Sequence, residues 1–285
     1  MISNTETIEE IILRRDRRGM TLLKSYLSPN FCEEGAKFIR EHQGRIVIAT
    51  GFYVNGDAET DGPLGAAMLG KALESLGSTV SFVTDLYCAP YLKAILEDST
   101  VLEFPIIDHE ESRAFANTLL SEIDPTLVIS VERCGFTQDF LYRNMRGRVV
   151  SEYTAKLDYL FDHQRPTLGV GDGGNEIGMG NLYDQILGHQ LLDSPAVTKT
   201  TKLIISSVSN WGAYGLIAAL SLLEGRSLLP SFEHEEEMLK RIVDLGAVDG
   251  FSGERTYSVD GLSIEENSQI LEALHRFLKA REINY

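Results

Sequence analysis

The stretch Arg45-Ile-Val-Ile-Ala-Thr50, followed by a loop and a helical pattern that begins at Pro63, decides the fold. The strand segment is apolar and largely β-branched and lacks polar alternation, which is typical of a strand covered on both faces. Proline is tolerated in the first turn of a helix. The apolar positions that recur at helical spacing after it are Leu64, Met68, Ala72, Leu73 and Leu76. The stretch therefore predicts a strand and then a helix, with Asp61 or Gly62 as the helix cap.

Four further β-branched runs lie along the chain, and nearly all precede a helical pattern. They are residues 79–84, 127–131, 167–171 and 202–206. Strands that alternate with helices predict a mostly parallel sheet with helices on both faces, a three-layer, Rossmann-like α/β fold. Ligands bind beyond the carboxyl ends of the strands in such sheets. We therefore expect the functional residues in the loops that leave those ends.

The length of 285 residues favours one α/β catalytic domain over residues 1–285. Within it we predict a helical extension at 1–20 and a helical region at 229–285 that packs on the domain. That region contains a charged helix at 233–244, an irregular stretch at 247–262, and a last helix that opens with the capping box Ser263-Ile-Glu-Glu266.

The formal net charge of −16 argues against nucleic acid and anionic membranes as partners. It is compatible with a small anionic substrate, provided that local cations hold it. The sequence has no uninterrupted apolar run long enough to span a bilayer, and residues 1–20 lack the features of a secretory signal. The three cysteines show no CxxC spacing, which indicates reduced thiols. We therefore expect a cytoplasmic protein, and a homo-oligomer remains compatible with the sequence.

The loop after the first predicted strand carries two acids, Glu59 and Asp61. Two carboxylates at a strand-to-helix junction suit either a hard divalent cation or an acid/base pair. The simpler alternative is that Asp61 caps the helix while Glu59 is solvated.

The segment 169–180, Gly-Val-Gly-Asp-Gly-Gly-Asn-Glu-Ile-Gly-Met-Gly, is dense in glycine and contains Asp172 and Glu176. Glycines here allow the backbone to approach a ligand closely. The segment also satisfies GxGxxG, but its acids would face a pyrophosphate and it lies late in the sheet. We therefore expect no nucleotide cofactor. A tight turn that presents two acids to a metal or an ammonium group fits better, and a purely structural turn is the alternative.

Two other segments offer polar candidates. Glu132 follows a strand end, and three arginines, Arg133, Arg143 and Arg146, could pair with a substrate carboxylate or phosphate, although a surface salt bridge is the simpler reading of each. Ser209 and Asn210 follow the last predicted strand and could cap a helix or donate to a ligand. No GxSxG or Walker A motif is present, and the cysteines and histidines lack nucleophile-plus-base spacing.

Four ordered motifs together resemble the D-glutamate cyclase family, and specifically the catalytic C-terminal domain of its vertebrate mitochondrial form. They are Glu59-Thr-Asp-Gly-Pro-Leu-Gly65, Tyr142-Arg-Asn-Met-Arg-Gly147, Gly171-Asp-Gly-Gly-Asn-Glu-Ile-Gly-Met-Gly180 and Ser207-Val-Ser-Asn-Trp-Gly-Ala-Tyr-Gly215. The resemblance covers roughly residues 20–278. It implies a lyase that converts D-glutamate into 5-oxo-D-proline with loss of water. A metal-dependent phosphatase is a second activity within the family, and a non-catalytic sensor of amino acids or metals is a third alternative.

We predict a site in which carboxylates and a divalent metal act together, with Mn²⁺ or Mg²⁺ polarising the γ-carboxyl group. The metal is expected on some of Glu59, Asp61, Asp172 and Glu176, and Glu132 or Glu59 is expected to take the amine proton. These five acids are the predicted catalytic residues. The predicted substrate-binding residues are Arg133, Arg143, Asn144, Arg146, Gly173, Gly174, Asn175, Ser209 and Asn210.

Overall fold

Six parallel strands form one central sheet in the computed structural model, which describes residues 6–96, 99–161 and 165–283. The strands are β1 (Arg45–Thr50), β2 (Thr79–Thr84), β3 (Thr100–Glu103), β4 (Leu127–Val131), β5 (Thr167–Gly171) and β6 (Lys202–Ile205). Their spatial order is 3-2-1-4-5-6. The predicted parallel α/β sheet is thus confirmed. The last strand ends one residue earlier than expected.

Helices cover both faces of the sheet. The described α-helices are α1 (Ile8–Ile12), α2 (Met20–Leu23), α3 (Phe31–Glu41), α4 (Pro63–Ser75), α5 (Ala89–Ile95), α6 (His109–Ile123), α7 (Tyr183–Gly188), α8 (Ser209–Glu224), α9 (Phe232–Leu245) and α10 (Ile264–Lys279). Alternate residues of β1 enter different cores, with Ile46 and Ile48 on one face and Val47 and Ala49 on the other. Burial on both faces explains why β1 lacks polar alternation.

Strand β3 was not predicted from the sequence. It pairs only with β2, at the edge of the sheet, and its terminal residues Thr100 and Glu103 are exposed. A short edge strand with polar ends carries little of the apolar signal that marks a buried strand.

The helix boundaries follow their predicted signals closely. The helix after β1 begins at Pro63 as expected, and its N-cap is Gly62 at φ +97°. The last helix begins after Ser263, whose side chain accepts from the Glu266 amide while the Glu266 side chain accepts from the Ser263 amide. The predicted charged helix corresponds to α9. Among the described helices, none is long and apolar enough to cross a membrane.

The chain order of the sheet reverses between β1 and β4. After β1 the chain builds β2 and β3 on one side, and then β4, β5 and β6 on the other. Loops that leave β1 and β4 therefore diverge, which opens a crevice at the carboxyl ends of these strands.

The N-terminal segment packs into the domain. Ile8, Ile11 and Ile12 of α1 belong to the main core, and α1 contacts α8 and α10. Buried Met20 and Leu23 of α2 fix the following part of the segment. The intervening residues, including Arg18, thereby reach the crevice.

Candidate functional site

A cavity of about 430 Å³ lies at the crevice. Three acids, Glu59, Glu132 and Asp172, line it, and they come from the loops after β1, β4 and β5. Its wall is built from residues 144–146 and 148–150, from 250–253, and from aromatic side chains that include Tyr53 and Tyr153. The carboxylates from separate stretches of chain therefore converge on one pocket.

Three buried carboxylates form the tightest group. Asp61, Glu132 and Asp172 each offer one oxygen atom, and these atoms all lie within 4.8 Å of one another. The residues are 1%, 5% and 0% exposed. Carboxylate oxygens at such separations are donors that a hard divalent cation accepts. Glu59 and Glu176, two of the four predicted metal ligands, lie outside this group, and Glu132 belongs to it instead.

Two helix N-termini hold the loop after β1 in place. The side chain of Asp61 accepts hydrogen bonds from the amides of Ser209 (2.8 Å) and Asn210 (2.7 Å), at the start of α8. In return, Asn210 Oδ1 accepts from the amides of Gly62 and Gly65, at the start of α4. Asp61 thus caps α8, where the sequence suggested a cap for the helix that follows it. Each helix supplies the cap of the other, and this exchange fixes the carboxylate at the crevice.

Glu132 is held by the backbone that follows β4 and by α8. Glu132 adopts φ +43°, a left-handed conformation that is uncommon for a residue other than glycine. Its Oε2 accepts a hydrogen bond of 2.6 Å from Ser209 Oγ. A side chain held in such a backbone conformation is typical of functional sites.

Burial raises the pKa of every acid in the cluster. Burial and then the charge of Asp260 raise the pKa of Asp61 to about 7, although the Asn210 and Ser209 amides oppose the shift. Burial and the charges of Asp172 and Glu176 raise the pKa of Glu132 well above its ordinary value. The pKa values of Glu59, Asp172 and Glu176 are raised as well, in each case mainly by burial. Groups whose pKa lies near neutrality suit proton transfer.

Asp172 and Glu176 have carboxylate oxygens without hydrogen-bond partners. Both oxygens of Asp172 and Oε1 of Glu176 are buried without a hydrogen bond, although Asp172 Oδ1 forms an ion pair with Arg18. Glu176 Oε2 accepts from the Gly174 amide at 2.8 Å. Buried carboxylates are normally hydrogen-bonded, because burying one without a partner lowers the free energy of unfolding by at least about 1 to 3 kcal/mol. The cluster therefore fits a bound cation that would satisfy these oxygens.

The predicted substrate-binding residues fall into two groups. Asn144, Arg146 and Asn175 line the cavity. The others do not line it: Gly173, Gly174, Ser209, Asn210, Arg133 and Arg143. Of these, Ser209 and Asn210 bond to the acidic loops, as described above. Gly174 adopts φ +109°, in the turn that presents Asp172 and Glu176.

Arg133 and Arg143 make other contacts. Arg133 is fully buried and pairs with Asp85 at 2.7 Å, while it also donates to the carbonyl oxygens of Gly51 and Ala155. Arg143 pairs with Asp139 at 2.5 Å. Spacing along the chain identified these arginines as near the acids, but their side chains are directed elsewhere.

Sequence reasoning missed Arg18 and Asp260. Arg18 lines the cavity, and its Nη1 atom lies 2.5 Å from Asp172 Oδ1 and 2.8 Å from Asp260 Oδ2. Both residues come from parts of the chain far from the motifs, and their pairing depends on the tertiary fold. The basic run at residues 14–18 was the only local signal.

The stretch 247–262 covers part of the cavity. Asp249 organises it by accepting from the amides of Phe251, Ser252 and Gly261. Phe251 also accepts, at its carbonyl oxygen, a 2.8 Å hydrogen bond from Arg146 Nη2. A Cβ atom at Gly250 would lie 1.9 Å from Glu59 Oε2, so a larger residue here would displace that carboxylate.

A sequence model of the family described as "D-glutamate cyclase-like, C-terminal" matches residues 8–275. The chain belongs to this family. A curated relative is the mitochondrial D-glutamate cyclase of Homo sapiens, with 29% identity over 271 residues. The match covers 78% of this chain and 43% of that protein, so the chain spans less than half of its relative.

Among solved structures, similarity was found to an exopolyphosphatase-related protein from Bacteroides fragilis. It is 11% identical, with a TM-score of 0.46, and the match covers 87% of this chain and 57% of that one. A similarity of this extent carries no argument about function.

Proposed function

We propose that the protein is a lyase that converts D-glutamate into 5-oxo-D-proline with loss of water in this cavity. The observation that carries the proposal is the convergence of Asp61, Glu132 and Asp172 within 4.8 Å at the crevice of a chain of the D-glutamate cyclase-like family. The name of the human relative, mitochondrial D-glutamate cyclase, supports the same reaction.

The reaction requires groups that move protons. The α-ammonium group must lose one proton before its nitrogen attacks the γ-carboxyl carbon, and a second proton as the amide forms. The γ-carboxyl group loses one oxygen atom, which leaves with these two protons as water. A site with acids that exchange protons near neutrality serves both ends of this transfer.

Glu59 has the position expected of the proton-transfer residue. It lines the cavity but lies outside the group of three carboxylates. Its pKa is raised, chiefly by burial and by the charges of Asp260 and Asp61, so that it can take a proton from the ammonium group and return it to the departing oxygen.

Asp61, Glu132 and Asp172 would hold a divalent cation, Mn²⁺ or Mg²⁺. Such a cation polarises a carboxyl group and stabilises the charge on a departing oxygen. The caps between α4 and α8 keep Asp61 in position, and Ser209 keeps Glu132 in position. The cavity would also hold the substrate folded with its amine near the γ-carboxyl carbon, and such positioning is worth about 7 to 11 kcal/mol at best.

The test compares substrates and metals on one preparation. Protein freed of metal with a chelator receives Mn²⁺ or Mg²⁺ singly, and then D-glutamate, L-glutamate or an aryl phosphate. We expect 5-oxoproline from D-glutamate alone, only after metal is restored. Release of phosphate without cyclisation would instead indicate a phosphatase. A melting temperature raised by D-glutamate without product would indicate a sensor.

A further inference from the structure

We propose that Arg18 binds the α-carboxylate of the substrate, and that the N-terminal segment is therefore part of the binding site. This inference rests on the proposed function, because it assigns a contact to the same substrate. Arg18 lines the cavity and contacts Asp172, one of the three converging carboxylates.

The size of glutamate restricts which arginine can bind its α-carboxylate while the γ-carboxyl group lies at the acidic cluster. The γ-carboxyl group must lie at the acidic cluster to react, and only three carbon–carbon bonds separate its neighbouring methylene from the α-carboxylate carbon. The two carboxyl carbons therefore lie at most about 5 Å apart. Arg18 meets this condition, because its Nη1 atom lies 2.5 Å from Asp172 Oδ1.

The other two arginines of the cavity are less suited to hold a carboxylate. Arg146 and Arg148 are exposed, and Arg146 Nη2 donates to the carbonyl oxygen of Phe251 on the covering stretch. An exposed arginine pairs weakly with a carboxylate because water screens the charges. The Arg18 side chain is only 22% exposed, so its charge is better shielded.

The local structure holds Arg18 in position. The side chain of Asp16 accepts hydrogen bonds from the amides of Arg18, Gly19 and Thr21 at 3.0, 2.9 and 2.7 Å. Gly19 adopts φ +83°, and the Cβ atom of any other residue there would lie 2.6 Å from Leu191. This turn lies between buried residues of α1 and α2 and places the Arg18 side chain at the cavity.

The chemistry of the guanidinium group completes the argument. It has five N–H donors, and the contacts with Asp172 and Asp260 both use Nη1. A cation on the three carboxylates would offset the charge of Asp172, and the donors of Arg18 other than Nη1, which contacts Asp260, would then be available to the substrate carboxylate. The acids of the cluster would otherwise repel a substrate that carries two carboxylates.

The experiment compares Arg18→Met and Arg18→Lys with Arg15→Met. Arg15 lies in the same segment and pairs with Glu266 outside the cavity, so its loss controls for a change in surface charge. Steady-state kinetics with D-glutamate give KM and kcat, calorimetry with Mn²⁺ gives metal affinity, and the melting temperature reports folding.

We expect Arg18→Met to raise KM by about 10- to 100-fold, the value of a hydrogen bond to a charged group, with a smaller change in kcat. Arg18→Lys should recover part of the loss, and Arg15→Met should behave as the wild type. An unchanged KM in folded Arg18→Met, with altered Mn²⁺ affinity, would show that Arg18 only neutralises Asp172 and Asp260, and would overturn the inference alone.

Two remaining outcomes are also decisive. If the wild type neither binds nor converts D-glutamate, the proposed function fails and the inference fails with it. If Arg18→Met does not fold, the Arg18→Lys variant decides. A folded Arg18→Lys variant with the wild-type KM would contradict a contact in which two nitrogens of the guanidinium group bind the carboxylate.

Discussion

Glu132 and Arg133, adjacent residues after β4, are both buried but lie in different electrostatic environments. Glu132 joins Asp61 and Asp172 at the cavity, whereas Arg133 pairs with Asp85 in a region that the cavity does not reach. Both residues follow the last residue of β4, and the left-handed backbone of Glu132 accompanies the change in direction between the two side chains.

The two regions differ in how far their charges are satisfied. The two terminal nitrogens of Arg133 have an ion pair and two carbonyl acceptors, although its Nε has no acceptor, and Asp85 also accepts from the Tyr87 amide. Asp172, in contrast, lies among other acids, and its one charged partner among the described residues is the Arg18 guanidinium, which also contacts Asp260. A buried pair of opposite charges indicates a structural role, while a buried group of like charges with a single cationic neighbour indicates a site that binds something.

The largest expected effect is on stability, in the paired region. Arg133→Met leaves Asp85 buried without its counter-charge, and we expect the free energy of unfolding to fall by about 3 to 5 kcal/mol. Urea denaturation monitored by circular dichroism measures it. The KM of the folded variant for D-glutamate should stay at the wild-type value, because Arg133 does not line the cavity.

The double variant Asp85→Asn with Arg133→Met is the control. Removing both charges together should restore part of the stability, because no uncompensated charge remains. A KM raised severalfold in Arg133→Met, with stability intact, would instead return Arg133 to the set of substrate-binding residues that its position in the sequence suggested.

The second effect is on catalysis, in the acidic cluster. Asp172→Asn removes one of the three converging carboxylates, and we expect kcat/KM to fall by more than about 100-fold, since even changes outside the ligand shell of a metal cost 10- to 100-fold. This corresponds to more than about 2.7 kcal/mol. The free energy of unfolding should stay within about 1 kcal/mol of the wild type, because the lost ion pair with Arg18 is offset by relief of burial and of repulsion from Asp260, Asp61 and Glu176.

Asp85→Asn supplies the matched control, because it is the same substitution in the paired region. We expect the converse result, a loss of stability with kcat/KM of the folded protein preserved. Wild-type turnover by well-folded Asp172→Asn would contradict the proposed site, and the comparison between the two regions would lose its functional meaning.

The comparison also shows what the sequence could and could not predict. The order of strands and helices was predictable, because burial on both faces leaves a continuous apolar signal along β1, β4 and β5. The parallel sheet then brings the loops after these strands to one edge, so the convergence of Asp61, Glu132 and Asp172 followed from topology.

The direction of individual side chains was not predictable. Arg133 lies beside Glu132 in sequence, but its side chain does not line the cavity. Arg18 lies more than 100 residues from Glu132 in sequence, but its side chain does line the cavity. Contacts between distant segments, such as the pair of Arg18 with Asp260, are formed by tertiary packing that no local pattern records.

The smallest effect tests whether a raised pKa alone marks a site. Glu235 of α9 is buried away from the cavity, and its Oε1 accepts a 2.8 Å hydrogen bond from Tyr214 Oη. Burial raises its pKa from 4.5 to about 7, against the opposing hydrogen bond from Tyr214. Glu235 therefore has a raised pKa like the acids of the cluster, but no other acid contributes to that shift.

The sign of the pH effect follows from linkage. Between pH 4.5 and 7 the folded protein holds a proton on Glu235 that the unfolded chain has released, so the stability contributed by this group is lost as the pH rises. The loss by pH 8 approaches about 2 to 3 kcal/mol.

Glu235→Gln keeps an acceptor for Tyr214 and removes the titration. The variant should therefore gain stability relative to the wild type between pH 5 and pH 8, as measured by urea denaturation at both values, with kcat/KM unchanged. A stability difference that is independent of pH would show that Glu235 titrates normally, and lost activity would show that the site extends to α9.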